Sequence, residues 1–270
     1  MLKENHKVAI YLEGHFSTDY GKMGIGVLRY LSNQIVAVID SKNNGKNTNE
    51  FNSIKRSVPI VSTLDAAVSN GAEVLILGIA PSGGKIPEAW FKVIESAISK
   101  NLSIINGLHD TLLSKYKNSL KNNQWIWDVR VPQFIPEIAS GKAAKLKNKR
   151  ILCVGTDMAV GKMTTSLEMH KWAIEKKINS SFIATGQIGI TITGEGIPLD
   201  AYKVDHACGA VEQMILKNQN SDWIFIEGQG SLLNPGSTAS LPLIRGCCTT
   251  HMILCHRADF ITLRDYKHIK

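Results

Sequence analysis

Short apolar runs recur along the chain, and most of them end at a glycine or an acid. Residues 8–12 (VAIYL) run into Glu13-Gly14, a pattern that predicts a buried strand entering a glycine turn. Residues 24–31 suit a helix, and residues 35–39 (IVAVI) predict a second buried strand ending at Asp40. Strand, glycine turn, helix and a strand with a terminal acid open a Rossmann-like unit. The G-x-G-x-x-G fingerprint is absent, so nicotinamide binding has little support, and Asp40 serves equally well as a turn cap.

The same alternation continues. Residues 58–61 predict a strand, 64–69 a helix behind a Ser62-Thr63 cap, and 73–78 a strand that leads into a turn at 80–84. Residues 87–100 are amphipathic, with Trp90, Val93, Ile94, Ala97 and Ile98 on one helical face, and 102–105 form the next strand. Alternating strands and helices imply a parallel sheet covered on both faces, with ligands at the carboxyl ends of its strands. That rule selects the loops at Gly14, Asp40, 81–85 and 106–110. Residues 1–124 therefore read as a Rossmann-like domain. Residues 125–149, with Pro132, Pro136, Gly141 and several lysines, read as a linker. A second α/β series fills 150–270: strands at 150–154, 181–185, 223–226 and 252–255, and a helix at 163–176.

Composition narrows the ligand. The 270 residues are 44 % hydrophobic and 20 % charged, which suits two ordinary globular α/β domains. The net charge of +8 favours an anionic ligand such as a nucleotide, CoA or a dicarboxylate. Nucleic acid is disfavoured: the lysines are scattered, the densest run (142–150) reads as a solvated connector, and only 7 % of residues are aromatic. The five cysteines, Cys153, Cys208, Cys247, Cys248 and Cys255, form no C-x-x-C pair, so a disulfide framework or a zinc site is not expected. No signal-peptide layout and no stretch of about 20 apolar residues is present, so the expectation is a cytoplasmic protein that does not touch membrane.

The strongest chemical signal is GTDMAVGKMT, residues 155–164. An apolar strand enters a loop bounded by Gly155 and Gly161, and Lys162 opens a helix. Loop N–H groups, the helix N-terminus and the lysine ammonium then converge on phosphate. The expected contacts are Gly155, Thr156, Asp157, Ala159, Val160, Gly161, Lys162, Met163 and Thr164. Compared with G-x-x-x-x-G-K-[ST], the loop holds one extra residue, and Met163 replaces the hydroxyl that ligates magnesium. A thioether is a poor ligand for that hard cation, so phosphate binding is better supported than Mg-ATP hydrolysis.

Three further motifs carry candidate chemistry. Residues 222–231 (DWIFIEGQGS) place Glu227 at a strand end, where it fits a general base or, if magnesium is used, a metal carboxylate. Residues 184–191 (ATGQIGIT) offer hydroxyls and backbone donors for a small anion or carboxylate, or simply a turn. Asp205 and His206 offer an acid–base pair at a helix start, with Asp205 as a plain N-cap the competing reading.

GTDMAVGK followed by IEGQG resembles the phosphate loop and V-E-G-x-G strand end of dethiobiotin synthetase. Taken in order, GTDMAVGKMTT, ATGQIGI, DHACGAVE and IEGQGSLLNPGS, with DVRVP at 128–132, are similar over nearly the whole chain to the D-glutamate N-acetyltransferase-like (DgcN-like) family of P-loop proteins. That resemblance implies a Rossmann-like N-terminal domain, a P-loop NTPase-like C-terminal domain, and acetyl-CoA-dependent acetylation of an acidic amino acid such as D-glutamate. Acetyl-CoA, with its 3′-phospho-ADP end, suits a loop that lacks the magnesium hydroxyl. Asp205, His206 or Glu227 would be the base. Thr185, Gly186, Gln187, Gly189, Gly228, Gln229 and Gly230 would bind the substrate carboxylates or the oxyanion. A Mg-ATP-dependent ligase or kinase and a non-catalytic nucleotide-binding module are the alternatives. A homo-oligomer acting on a small anionic molecule is expected. Family members are typically longer, so the last helix-and-strand units of the P-loop domain are expected to be missing, divergent or removed in this chain.

Overall fold

The computed structural model describes every residue except Met1, Asn52, Ser53, Ser82, Phe260, Arg264, Asp265 and Lys270. Ser82, within the loop predicted at 81–85, thus lies outside the described residues. The chain divides into two compact units, Met1–Val131 with Thr191–Gly194, and Pro132–Ile190 with Glu195–Lys270.

In the first unit the apolar runs become strands of one parallel sheet, four of them flanked by a strand on each side. The elements are β1 (Val8–Tyr11), α1 (Lys22–Tyr30), β2 (Ile35–Ile39), β3 (Ile60–Val61), α2 (Leu64–Ser69), β4 (Val74–Leu77), α3 (Trp90–Ser99), β5 (Ser103–Asn106), α4 (Leu113–Tyr116) and β6 (Ile126–Asp128). They form a parallel sheet in the order β3-β2-β1-β4-β5-β6. The predicted Thr63 cap is present: its Oγ1 accepts from the Ala66 N–H. Ile126–Asp128, read as linker, is instead the sixth strand. Three residues were too short a run to announce a strand, and Asp128 closes it by accepting from the Leu112 and Leu113 N–H groups.

Strand order reverses between β1 and β4, where Rossmann-like sheets bind dinucleotides. Here the chain closes that crevice on itself. The Gly24 N–H donates to the Gly78 carbonyl at 2.7 Å, and the Ala80 N–H donates to the Tyr20 carbonyl at 2.8 Å. Asp40 is buried and accepts from the Gly14 N–H and the Asn43 amide. Of the two readings of Asp40, the structure supports the turn cap.

The second unit contains β7 (Lys149–Gly155), α5 (Lys162–Glu175), β8 (Ser180–Ile183), the start of α6 (Gln187–Thr193, whose residues from Thr191 on are grouped with the first unit), α7 (Val204–Lys217), β9 (Trp223–Ile226), α8 (Ser240–Cys247) and β10 (His251–Cys255). Its four strands are parallel in the order β10-β7-β9-β8. Period-two alternation sends Ile151 and Phe225 toward α5. Leu152, Val154, Ile224 and Ile226 point the other way, onto Val211, Ile215 and Leu243 of α7 and α8. Arg150 shows why residues 142–150 are more than a solvated connector. Its buried guanidinium donates to the carbonyls of Cys247, Cys248, Leu146 and Asn148.

The DHACGAVE motif does structural work along one face of α7, which holds residues 136–143 against the helix. His206 Nδ1 lies 2.8 Å from the Pro136 carbonyl. A Cβ on Gly209 would meet the Glu137 carbonyl oxygen at 1.7 Å, so only glycine admits this approach. Glu212 accepts from the N–H groups of Ser140 and Ala143.

Candidate phosphate-binding site

All four strands of the second sheet are parallel, so their carboxyl ends share one edge. That edge collects the loop after β7, the Thr185-Gly186 turn after β8, Glu227 after β9 and His256 after β10. The β7 loop enters α5 through Gly161, whose φ of +103° suits glycine. No described residue accepts a hydrogen bond from the N–H groups of Gly161, Lys162, Met163 and Thr164, the donors that a helix start leaves over. These four converge at the positive end of the α5 dipole and can bind an anion.

Lys162 is buried, and its Nζ donates to the Asp157 carbonyl at 2.9 Å. Its alkyl chain passes between two glycines. A Cβ on Gly155 or on Gly228 would lie 3.0 Å from Lys162 Cδ, and the one on Gly228 only 1.7 Å from the Cys153 carbonyl oxygen. These glycines therefore make room for the lysine and for the close approach of residue 228 to β7. Burial lowers the Lys162 pKa, while nearby Cys255, Asp157 and Glu227 oppose that shift.

Glu227 is also buried. Desolvation pushes its carboxyl up to about 7, against the pull of the Thr185 and Gly186 N–H groups and of Lys162. Those two N–H groups donate to Oε2 at 2.8 and 3.1 Å, and the Gln229 amide approaches Oε1 at 3.4 Å. A Cβ on Gly189 would meet Oε2 at 2.3 Å. The ATGQIG segment is thus a carboxylate pocket, and the carboxylate in it is the chain's own. Thr185 and Gly186 already hold Glu227, which takes their N–H groups away from the predicted substrate carboxylate or oxyanion.

A latch that the sequence did not announce ties the segment after β9 to the phosphate loop. Ser231 Oγ donates to the Thr156 carbonyl, the Asn234 amide donates to Asp157 Oδ1, and the Leu232 N–H donates to the Gly155 carbonyl. Thr156 Oγ1 pairs with His256 Nδ1 at 2.9 Å.

Residues 137–270 match the family described as a domain of unknown function (DUF1611_C), P-loop domain, and residues 41–132 match its Rossmann-like partner (DUF1611_N). A solved DUF1611 family protein from Anabaena variabilis is 45 % identical, with a TM-score of 0.95 over 98 % of this chain and 78 % of that one. The chain belongs to the DUF1611 family. As a DUF1611 protein it is also similar to two proteins named D-glutamate N-acetyltransferase. The one from a Pseudoalteromonas species is 38 % identical over 206 residues, 75 % of this chain and 61 % of its own length. The one from Tritonibacter scottomollicae is 40 % identical over 211 residues, 76 % of this chain and 63 % of its own length. The chain therefore spans less than two thirds of either relative.

Within this DUF1611 chain the predicted site residues separate into two places. Residues 155–164, Thr185, Gly186, Gly189, Glu227, Gly228 and Gln229 gather at the sheet edge. Gln187 opens α6 beside them in sequence. Gly230 packs against the segment that follows it, since a Cβ there would meet Ser237 Oγ at 2.5 Å. Asp205 lies in the first turn of α7, whose N-cap is Lys203, so the N-cap reading of Asp205 is incorrect. Asp205 lines a separate cavity that none of residues 155–164 or Glu227 borders. His206 does not line that cavity, and its Nδ1 lies against the Pro136 carbonyl. No helix among the described residues is long and apolar enough to cross a membrane.

Proposed function

We propose that this chain is an acetyl-CoA-dependent N-acetyltransferase acting on an acidic amino acid such as D-glutamate, with the phosphates of its acetyl donor held by residues 155–164. The observation that carries the reading is the buried ammonium of Lys162 beside the unengaged N–H groups of Gly161 to Thr164. This donor set fits phosphate oxygens and requires no metal hydroxyl, which Met163 does not supply. Two relatives named D-glutamate N-acetyltransferase support the chemistry. Acetyl-CoA supplies the acetyl group as an activated thioester. Glu227 fits this end of the site because a carboxyl with a pKa near 7 can carry its proton close to phosphate, where a fixed carboxylate would repel it.

The reading is tested by following CoA thiol release while D- and L-glutamate, D-aspartate and a neutral D-amino acid are supplied in turn. Release that depends on an acidic amino acid is expected. No release from protein with a cooperative melt overturns it. Phosphate release from ATP that requires magnesium would instead support the ligase or kinase alternative.

A further inference from the structure

We propose that acetyl transfer takes place away from Lys162, in a cavity of about 710 Å³ at the N-terminal ends of α7 and α8, with Asp205 as its general base. This inference rests on the acetyl-CoA reading above. It starts from a conflict of lengths. Glu227 is close enough to Lys162 for their charges to interact. In CoA, however, a peptide-like pantetheine arm separates the phosphates from the thioester by roughly 15 Å, the span of four or five extended residues. If Lys162 holds the phosphates, Glu227 is at the wrong end of the donor to act on the acetyl group. The Thr185 and Gly186 N–H groups, bound to Glu227, are at the wrong end as well.

The cavity lies within the arm's reach. Its wall includes Ser237 and Ala239, and both approach the Cβ position of Gly230. Gly230 follows Glu227 by three residues, at most about 11 Å by Cα spacing. The same segment is fastened to the phosphate loop by Ser231 and Asn234, so cradle and cavity share one rigid wall. Leu199, Val204, Leu241 and Pro242 give the cavity an apolar side for a slender arm, with the Ser237 and Thr238 hydroxyls for its amides, and Asp200 is a second carboxylate on its wall. Asp205 faces this space, and no described residue pairs with its carboxylate. Arg245 lines it too, a cation for the carboxylate of an amino-acid substrate. In the transfer, the substrate amine attacks the thioester carbon, the C–N bond forms and the C–S bond breaks. Asp205 takes the proton from nitrogen, and the departing thiolate takes one up as CoA thiol.

The experiment compares acetyl-CoA with adenosine 3′,5′-bisphosphate, which has phosphates and no arm, by calorimetry on the full chain. Leu241→Trp narrows the cavity. Val204→Trp does so from a side chain that is already 85 % exposed, so it loses little packing. Both variants should weaken acetyl-CoA at least about tenfold while leaving the arm-free probe unchanged. Asp205→Asn should lower kcat about 100-fold and leave the KM for acetyl-CoA unchanged. Unchanged acetyl-CoA affinity in both tryptophan variants, or kcat within about threefold of wild type in Asp205→Asn, overturns the inference and leaves the parent reading standing. Wild-type protein that binds acetyl-CoA no better than buffer overturns both.

Discussion

The two sheets of this protein present the same kind of edge and use it in opposite ways. Each is parallel, and each brings several loops to the carboxyl ends of its strands. In the first, the polar groups find one another. Asp40 holds the Gly14 turn, Asp128 holds the start of α4, and backbone bonds from Gly24 and Ala80 close the switch point. In the second, a buried lysine is held by the Asp157 carbonyl and a buried carboxyl by Thr185 and Gly186, but the four helix-start N–H groups beside them find no acceptor among the described residues. Architecture alone thus does not mark a site. A site is marked where the fold stops short of satisfying its own polar groups.

The comparison breaks first at Gly228. Gly228→Ala places a methyl group against the Cys153 carbonyl and beside Lys162, so it should cost more than about 4 kcal/mol in urea unfolding. Gly45→Ala in the first unit, where a Cβ meets nothing within 4 Å, should cost only about 1 kcal/mol through its positive φ. Equal costs would mean that β7 and β9 are not pressed together around the lysine.

Glu227 gives the next largest effect. Its carboxyl stays protonated in the folded state up to about 7, whereas the ordinary value is 4.5. Between those values unfolding releases a proton, so stability falls as pH rises, by roughly 3 kcal/mol across the window. Glu227→Gln should flatten that slope. Glu212 has the opposite sign. Burial raises its pKa, but the N–H donors of residues 140–143 outweigh burial and leave it lowered. Its contribution is present above the ordinary value and is lost as pH falls through the folded pKa. A Glu227→Gln variant that keeps the wild-type slope would remove Glu227 as its source.

The smallest effect separates structure from binding. Asp40→Ala should lower stability by about 1–2 kcal/mol, because it removes the buried acceptor of the half-buried Gly14 N–H, and should leave acetyl-CoA affinity unchanged. A loss of affinity would show that the first edge belongs to the site after all.

Much of the fold was legible because buried strands in a parallel sheet are nearly continuous apolar runs. Residues 35–39, 64–69 and 223–226 fall where the pattern placed them. β6 was hidden by its length, and α8 (SLPLIRGC) by a proline and a glycine that resemble a loop. The phosphate loop was legible because its residues are contiguous. The grip of Thr185 and Gly186 on Glu227 joins positions about 40 residues apart, and the bond from Asn234 to Asp157 joins positions 77 apart. Sequence shows a carboxylate and a set of donors, but not that they have already met.

The central claim is that Lys162 and the α5 start hold the phosphates of the acetyl donor. It is tested most directly by calorimetric titration of acetyl-CoA into wild-type and Lys162→Ala protein without magnesium. The expected result is binding to the wild type and a loss of about 2–3 kcal/mol in the variant, the cost of removing a charge-assisted contact to phosphate. Equal affinity in the two proteins, with both cooperatively folded, would contradict it.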